Sequence, residues 1–208
     1  MIENDRESME ADDISRYLTE DLKTEIAHGI EVSRLAGMLA KELKLDTSLC
    51  HDIEVAGMLH DIGKLRESTY LYGGDDDTLN VEKMRYVRMH AGLGYEIVKA
   101  EGYSERICEM ILHHHENYDG TGYPDNLIGE AIPLGARILR VCDVFVALTS
   151  DRPYRKAFDS QVAVELLIEE VQHFDMKIFL TFQSIIHDEI EMRAFQTGLN
   201  KGDTMEPR

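Results

Sequence analysis

Along most of the chain apolar residues return every three or four positions, and no stretch alternates β-branched and polar residues as a strand would; the pattern predicts an all-α fold. One helix is predicted from about Leu22 to Leu43, with His28, Val32, Leu35 and Leu39 on one stripe. A second runs from about Leu49 to Asp61, with Ile53, Ala56, Gly57 and His60 on its stripe, and Gly63 stops it. Further helices are predicted near 81–100, 104–116, 133–149, 159–171 and 176–195. Gly73-Gly74-Asp75-Asp76-Asp77 marks 67–80 as a polar loop, and Gly120, Gly122 and Pro124 force the chain out of helix after Glu116. Residues 1–13 are acidic and aperiodic and are expected to be a mobile tail, 14–198 a single domain, and 199–208 a mobile end.

Polar side chains break into these stripes at a few places. His60-Asp61 ends an apolar helix and runs into Gly63-Lys64. Imidazole and carboxylate without thiolate suit Fe, Mn, Zn or Ni better than a structural cysteine site. In the His113-His114-His115 run, the stripe of Ile107, Met110 and Ile111 carries onto His114 and His115, which become ligand candidates. His113 continues the wetter Arg106 and Glu109 side and is expected at the rim. Asp143 interrupts the apolar run from Ile138 to Leu148, where a lone ionised carboxylate is costly unless a cation or several donors meet it. A metal ion would satisfy it, and an ion pair with an arginine is the alternative. Taken alone, His28 reads as a core histidine, and His90, before Ala91-Gly92-Leu93-Gly94, as a weak signal. Two further dipeptides, His51-Asp52 and His187-Asp188, are expected to be structural. The first lies ~13 Å of helix rise from His60-Asp61, and the second sits in an acidic, solvated helix.

The 208 residues carry a formal net charge of -18, which argues against a nucleic-acid polymer as partner. Basic residues nevertheless gather near the motifs (Lys64, Arg66, Arg137, Arg140, Arg152, Arg155 and Lys156), a local positive pocket suited to a compact anion. Cys50, Cys108 and Cys142 lack paired spacing and are expected as buried free thiols in a reducing compartment. No signal peptide and no long uncharged apolar run is visible, so a cytoplasmic protein without a membrane span is expected.

Four segments together resemble the HD-GYP domain, a branch of the HD superfamily of metal-dependent phosphohydrolases, over about Leu22 to Phe174. They are His60 to Lys64, His114-His115-Glu116 through Asp119 to Pro124, Arg137-Ile138-Leu139 through Asp143, and Ala147 to Lys156. The resemblance implies a helical bundle of the HD-domain type, here with extra C-terminal helices. It implies a bacterial signalling phosphodiesterase that hydrolyses a cyclic dinucleotide, cyclic di-GMP first, to linear pGpG and onward to GMP. It makes His28, His60, Asp61, His90, His114, His115 and Asp143 the metal ligands, with Asp61 bridging and catalytic. Lys64 is then a catalytic and substrate-binding group, and Tyr123, Arg152 and Arg155 substrate contacts. Two divalent transition metals are expected, Fe or Mn first, with Ni, Zn or Co as alternatives. Thr24 stands where three-metal members carry Glu, with Glu25 one place out of register. Ala91, Cys142 and Val146 replace the family's usual Pro, Ala and Asp, and the loop after Lys64 departs from the usual pattern. Rival readings are a catalytically weak cyclic dinucleotide receptor and a phosphohydrolase of other nucleotides, such as hybrid cyclic GMP-AMP. A homodimer or a signalling protein is the partner class left open.

Overall fold

The computed structural model describes residues 2–65, 79–152 and 155–202, with side chains over 22–65, 88–152 and 155–190. Among the described residues there are seven α-helices and no named strand. They are α1 (Ile2–Glu42), α2 (Thr47–Leu59), α3 (Leu79–Ala100), α4 (Glu105–Leu112), α5 (Leu134–Thr149), α6 (Ser160–Glu169) and α7 (Met176–Gly202), with single 3-10 turns at Gly129–Ala131 and Val171–His173. Side-chain caps start several of them. Asp46 accepts from the Leu49 amide before α2, Ser104 from Ile107 before α4, and Asp159 from Gln161 before α6. At the end of α3, Gly102 adopts φ 82 and lets the Tyr103 amide reach back to the Val98 carbonyl at 3.1 Å. No described helix is long and apolar enough to cross a membrane.

α1, α2, α4 and α5 form the centre of the bundle, and α6 and α7 cover α5. Val32, Leu35, Leu39, Ile53, Ile111, Ile138, Leu139 and Phe182 are fully or almost fully buried there. Cys50, Cys108 and Cys142 are buried free thiols, as expected. Two glycine contacts bring the site together. Where α2 crosses α1, a Cβ on Gly57 would lie 2.9 Å from Ser33 Cα, so the backbones meet at a distance only glycine permits, one turn from both His28 and His60. Gly63 lies directly against the His90 carbonyl, which seats α3 beside Asp61.

Several boundaries differ from expectation. Residues 2–13, where a mobile tail is expected, are helical in α1; no Gly or Pro precedes Gly29, so nothing breaks the continuation of the helix. α6 gives way to a separate 3-10 turn, and α7 runs on to Gly202, past the expected end at 195. Residues 203–208 and nearly all of the expected loop at 67–80 lie outside the described residues. α4 stops at Leu112 rather than 116, for a reason that belongs to the site.

Candidate metal centre

α2 and α4 end by the same device. His60 Nδ1 donates to the Gly57 carbonyl at 2.8 Å, and His114 Nδ1 donates to the Ile111 carbonyl at 2.6 Å. Each imidazole reaches the carbonyl of the third residue before it, which the next turn of helix would have used. Helix ends at Leu59 and at Leu112, and each imidazole satisfies a carbonyl that the last turn leaves without a helical partner. A carbonyl only accepts, so both Nδ1 atoms carry hydrogen, and in the neutral ring the Nε2 lone pair points away from the helix. Anchoring of this kind is how proteins orient histidines for metals.

Those lone pairs converge. His28, His60 and Asp143 offer donor atoms within 4.8 Å of one another, and Asp61, His90, His114 and His115 form a second such group. Asp61 joins the two. Its Oδ2 lies 3.3 Å from His60 Nε2 and 3.8 Å from His28 Nε2, and its Oδ1 lies 3.3 Å from His90 Nε2. Asp143 Oδ1 lies 2.9 Å from His28 Nε2 and 3.6 Å from His60 Nε2. In the second group His90 Nε2 is 3.3 Å from His114 Nε2 and 3.0 Å from His115 Nε2. One hydrogen on His90 can serve only one of these neighbours, and the remaining lone pairs face the same space. His60 Nε2 is buried and has no hydrogen-bond partner. Orphaned imidazole nitrogens facing shared carboxylates fit a metal ion, and the cluster can hold one.

The electrostatics describe a site short of positive charge. Burial disfavours ionised Asp143, but the hydrogen bond from His28 and the nearby charge of His60 outweigh it and hold the carboxyl well below its usual range. For Asp61, burial is likewise outweighed, here by His60 and Lys64. Burial would push the His60 imidazolium down, yet Asp61 and Asp143 together raise it well above its ordinary value. On the far side, burial first and neighbouring imidazoles second push His114 well down, while burial takes His115 to about 3. Lys64 Nζ lies 2.5 Å from Asp61 Oδ2 and 3.3 Å from Glu25 Oε2; these two carboxylates outweigh its burial and raise its pKa.

The other expected residues fall around this cluster. Tyr123 stacks on His115, with ring centroids 4.7 Å apart at 28°, and the Arg88 guanidinium carbon sits 5.3 Å from the Tyr123 centroid. Arg155, expected to contact substrate, lies at the end of α5. It donates to the carbonyls of Ala147 at 2.9 Å and Leu148 at 3.0 Å, and also to that of Lys156 at 2.8 Å. The C-terminal carbonyls of α5 thus occupy its fork. Arg152 pairs with Arg155 through backbone bonds. Arg137 is taken up by Asp175 at 2.6 Å and Lys156 by Asp151 at 3.0 Å, so neither adds to a pocket at the cluster, and Arg66 lies outside the described residues. His113, expected at a wet rim, is buried and bonds Glu109 at 3.1 Å, outside the two metal-ligand groups. His51 and His187 are exposed, and buried Asp52 pairs with Arg106 at 2.7 Å.

Three residues escaped the periodicity reading. Glu116 is almost fully buried, and its oxygens accept the amides of Asp125 at 2.7 Å and Leu127 at 3.1 Å, which fixes the turn carrying Tyr123. Asn117 bonds Thr121 at 3.0 Å and accepts from Arg140 Nε at 2.9 Å. Glu25 holds the outer side of Lys64. The first two lie directly after the ligand pair, and a buried carboxylate beside a Gly-rich turn is the signal that would have found Glu116.

The bundle and its histidine–carboxylate cluster are the features of an HD domain. The HD-domain family profile matches residues 9–178, and the chain belongs to that family, as the resemblance read from its motifs implied. It is 42% identical over 142 residues to the cyclic di-GMP phosphodiesterase response regulator RpfG of Xanthomonas campestris, covering 65% of this chain and 36% of the relative. It is 34% identical over 154 residues to the 3'3'-cGAMP-specific phosphodiesterase 1 of Vibrio cholerae, covering 73% of this chain and 36% of the relative. The chain thus spans a little over a third of the length of these relatives. A crystal structure of a cyclic GMP-AMP-specific phosphodiesterase of Vibrio cholerae shares the fold, with TM-score 0.62 at 18% identity, over 77% of this chain and 44% of that one.

Proposed function

We propose that this chain is a metal-dependent phosphodiesterase of a cyclic dinucleotide, cyclic di-GMP first, releasing linear pGpG and then GMP. The observation that carries the reading is Asp61, one carboxylate with an oxygen turned to each of two histidine groups. His28, His60 and Asp143 would hold one divalent ion, and His90, His114 and His115 a second, with Asp61 between the two groups. Iron or manganese suits these hard and intermediate ligands. Bound there, the ions supply Lewis acidity toward a phosphoryl oxygen and lower the pKa of water.

The rest falls to the protein's own side chains. Lys64, held between Asp61 and Glu25, places an ammonium where negative charge grows on the phosphate. Tyr123 offers a ring face fixed by His115 and by the turn that Glu116 orders. Arg152 and Tyr123 contact the substrate outside the reacting phosphate, and Arg155 acts by fixing the end of α5. Relatives named for cyclic di-GMP and for 3'3'-cGAMP support the substrate class and make the hybrid dinucleotide the second candidate. The test is anaerobic reconstitution with Fe(II) or Mn(II), followed by assay of cyclic di-GMP and hybrid cyclic GMP-AMP for linear products. Protein that loads metal and turns over neither would leave a receptor in place of an enzyme.

A further inference from the structure

Lys64 stands on one side of the cluster, against the Asp61 oxygen that faces His28 and His60. His115 and Tyr123 stand on the other side, with His90. A second pair of cations is found there. Arg88 lies over the Tyr123 ring. Arg140 is on α5 one turn before Asp143, and i, i+3 residues share a helix face. Its Nε is anchored by Asn117, two residues beyond His115, and Asn117 is held in turn by Thr121. Two independent placements, one on the helix and one on the loop, therefore put Arg140 at this side of the site. Among the described residues no other hydrogen bond or ion pair engages its guanidinium, so the terminal fork is held by one edge and open at the other.

We propose that Arg140, with Arg88 beside it at Tyr123, binds the second, non-reacting phosphodiester of the substrate. This rests on the function proposed above. A mononucleotide presents one phosphate and needs only the cluster and Lys64. A cyclic dinucleotide presents two, and the cations at the two sides of the cluster match two anions. A guanidinium anchored through Nε keeps both terminal nitrogens for a planar two-bond contact with phosphate oxygens. Arg140 is thus a specificity-determining residue, selecting a two-phosphate ligand over a one-phosphate one.

The experiment uses the full chain loaded with Mn(II). It compares the parent with Arg140→Gln and Asn117→Ala, reading KM and kcat for cyclic di-GMP, the inhibition constant of GMP, and equilibrium dialysis of cyclic di-GMP on metal-free protein. Arg140→Gln is expected to raise KM and weaken metal-free binding by about tenfold or more, the scale of a lost charge-assisted pair. The same variant should leave kcat within about threefold and the GMP constant within about twofold. Asn117→Ala, which loosens the anchor but keeps the charge, should move KM much less. An unchanged KM, a parallel loss of GMP binding, or an equal effect from Asn117→Ala would overturn the proposal, the last by making Arg140 a strut for the loop. If Arg140→Gln does not melt cooperatively, Arg140→Lys replaces it. An ammonium cannot hold Asn117 and fork a phosphate together, so KM should rise at least about threefold; parental KM would overturn the proposal. A parent that neither binds nor hydrolyses cyclic di-GMP removes the function itself, and this inference with it, whereas failure confined to the variants counts against Arg140 alone.

Discussion

Asp61 and Lys64 are neighbours with separable roles. Asp61 faces three imidazoles and an ammonium at 2.5–3.8 Å, so any cation between the two histidine groups depends on its charge. Lys64 is itself a cation and cannot ligate one while protonated, and its raised pKa keeps it protonated at neutral pH. Asp61→Asn should therefore lose metal and turnover together, because it halves the fixed negative charge of the cluster while preserving shape. Lys64→Ala should lower turnover by roughly 10²–10³, the usual scale for one preorganised stabilising group, with metal content within about twofold of the parent. Metal analysis beside single-turnover rates separates the two. Equal turnover in Lys64→Ala and parent would reduce Lys64 to a partner of Glu25. Loss of metal in that variant would mean that its role is to shape Asp61.

Helix ends and helix crossings decide whether these residues meet. The Gly57 crossing is the tightest test, since a methyl there would lie 2.9 Å from Ser33 Cα and 3.3 Å from Leu139 Cδ2. Gly57→Ala should push α1 from α2, carry His28 away from His60, and cost about 1–3 kcal/mol in urea unfolding measured with chelator present. Metal loading should fall as well. Lower stability with full metal content would show that the crossing supports the fold without setting ligand spacing. The same elements show what the sequence could tell. The apolar stripes of α1, α2 and α5 were readable because burial follows helical period, and His60 and Asp143 stood out as polar exceptions on them. Phase on α4 pointed at His114 and His115, although the helix ends at Leu112 before reaching them; the Ile111 carbonyl taken by His114 is a tertiary detail that periodicity does not encode. For the same reason helical phase alone puts His113 on a wet side, whereas Glu109, Glu116 and Asp125 surround it in the fold. Arg155 carried the right charge for substrate, but charge does not reveal that a helix end lies within reach of its fork. His28 and His90 came only from the family resemblance, since one buried histidine per helix looks like core until four helices are brought together.

At the scale of the molecule, the centre joins α1, α2, α3 and α5 with the chain that follows α4, so a bound cation ties together segments far apart in sequence, from His28 to Asp143. The protein carries a formal charge of -18, and two of its carboxylates, Asp61 and Asp143, lie buried close together at its centre beside Lys64. Self-repulsion of this kind disfavours the compact state, and a divalent ion at its middle opposes it. The unfolded chain scatters the same ligands, so nearly all of the binding free energy appears as folding free energy. With metal at about 100 times its dissociation constant, linkage gives roughly 2.7 kcal/mol per site. For a chain of this size each site corresponds to a rise in Tm of about 5–10 °C, and the two sites together to about 10–20 °C. Protein purified under reducing conditions and then stripped with chelator should melt lower by that amount, and added Fe(II) or Mn(II) should restore it. Asp61→Asn should show no such rise, which separates ligation at the centre from ions adsorbed on an acidic surface. A metal-dependent rise of the same size in that variant would place the stabilising ion elsewhere on the molecule and leave the His28-to-Asp143 cluster as a buried hydrogen-bonded network.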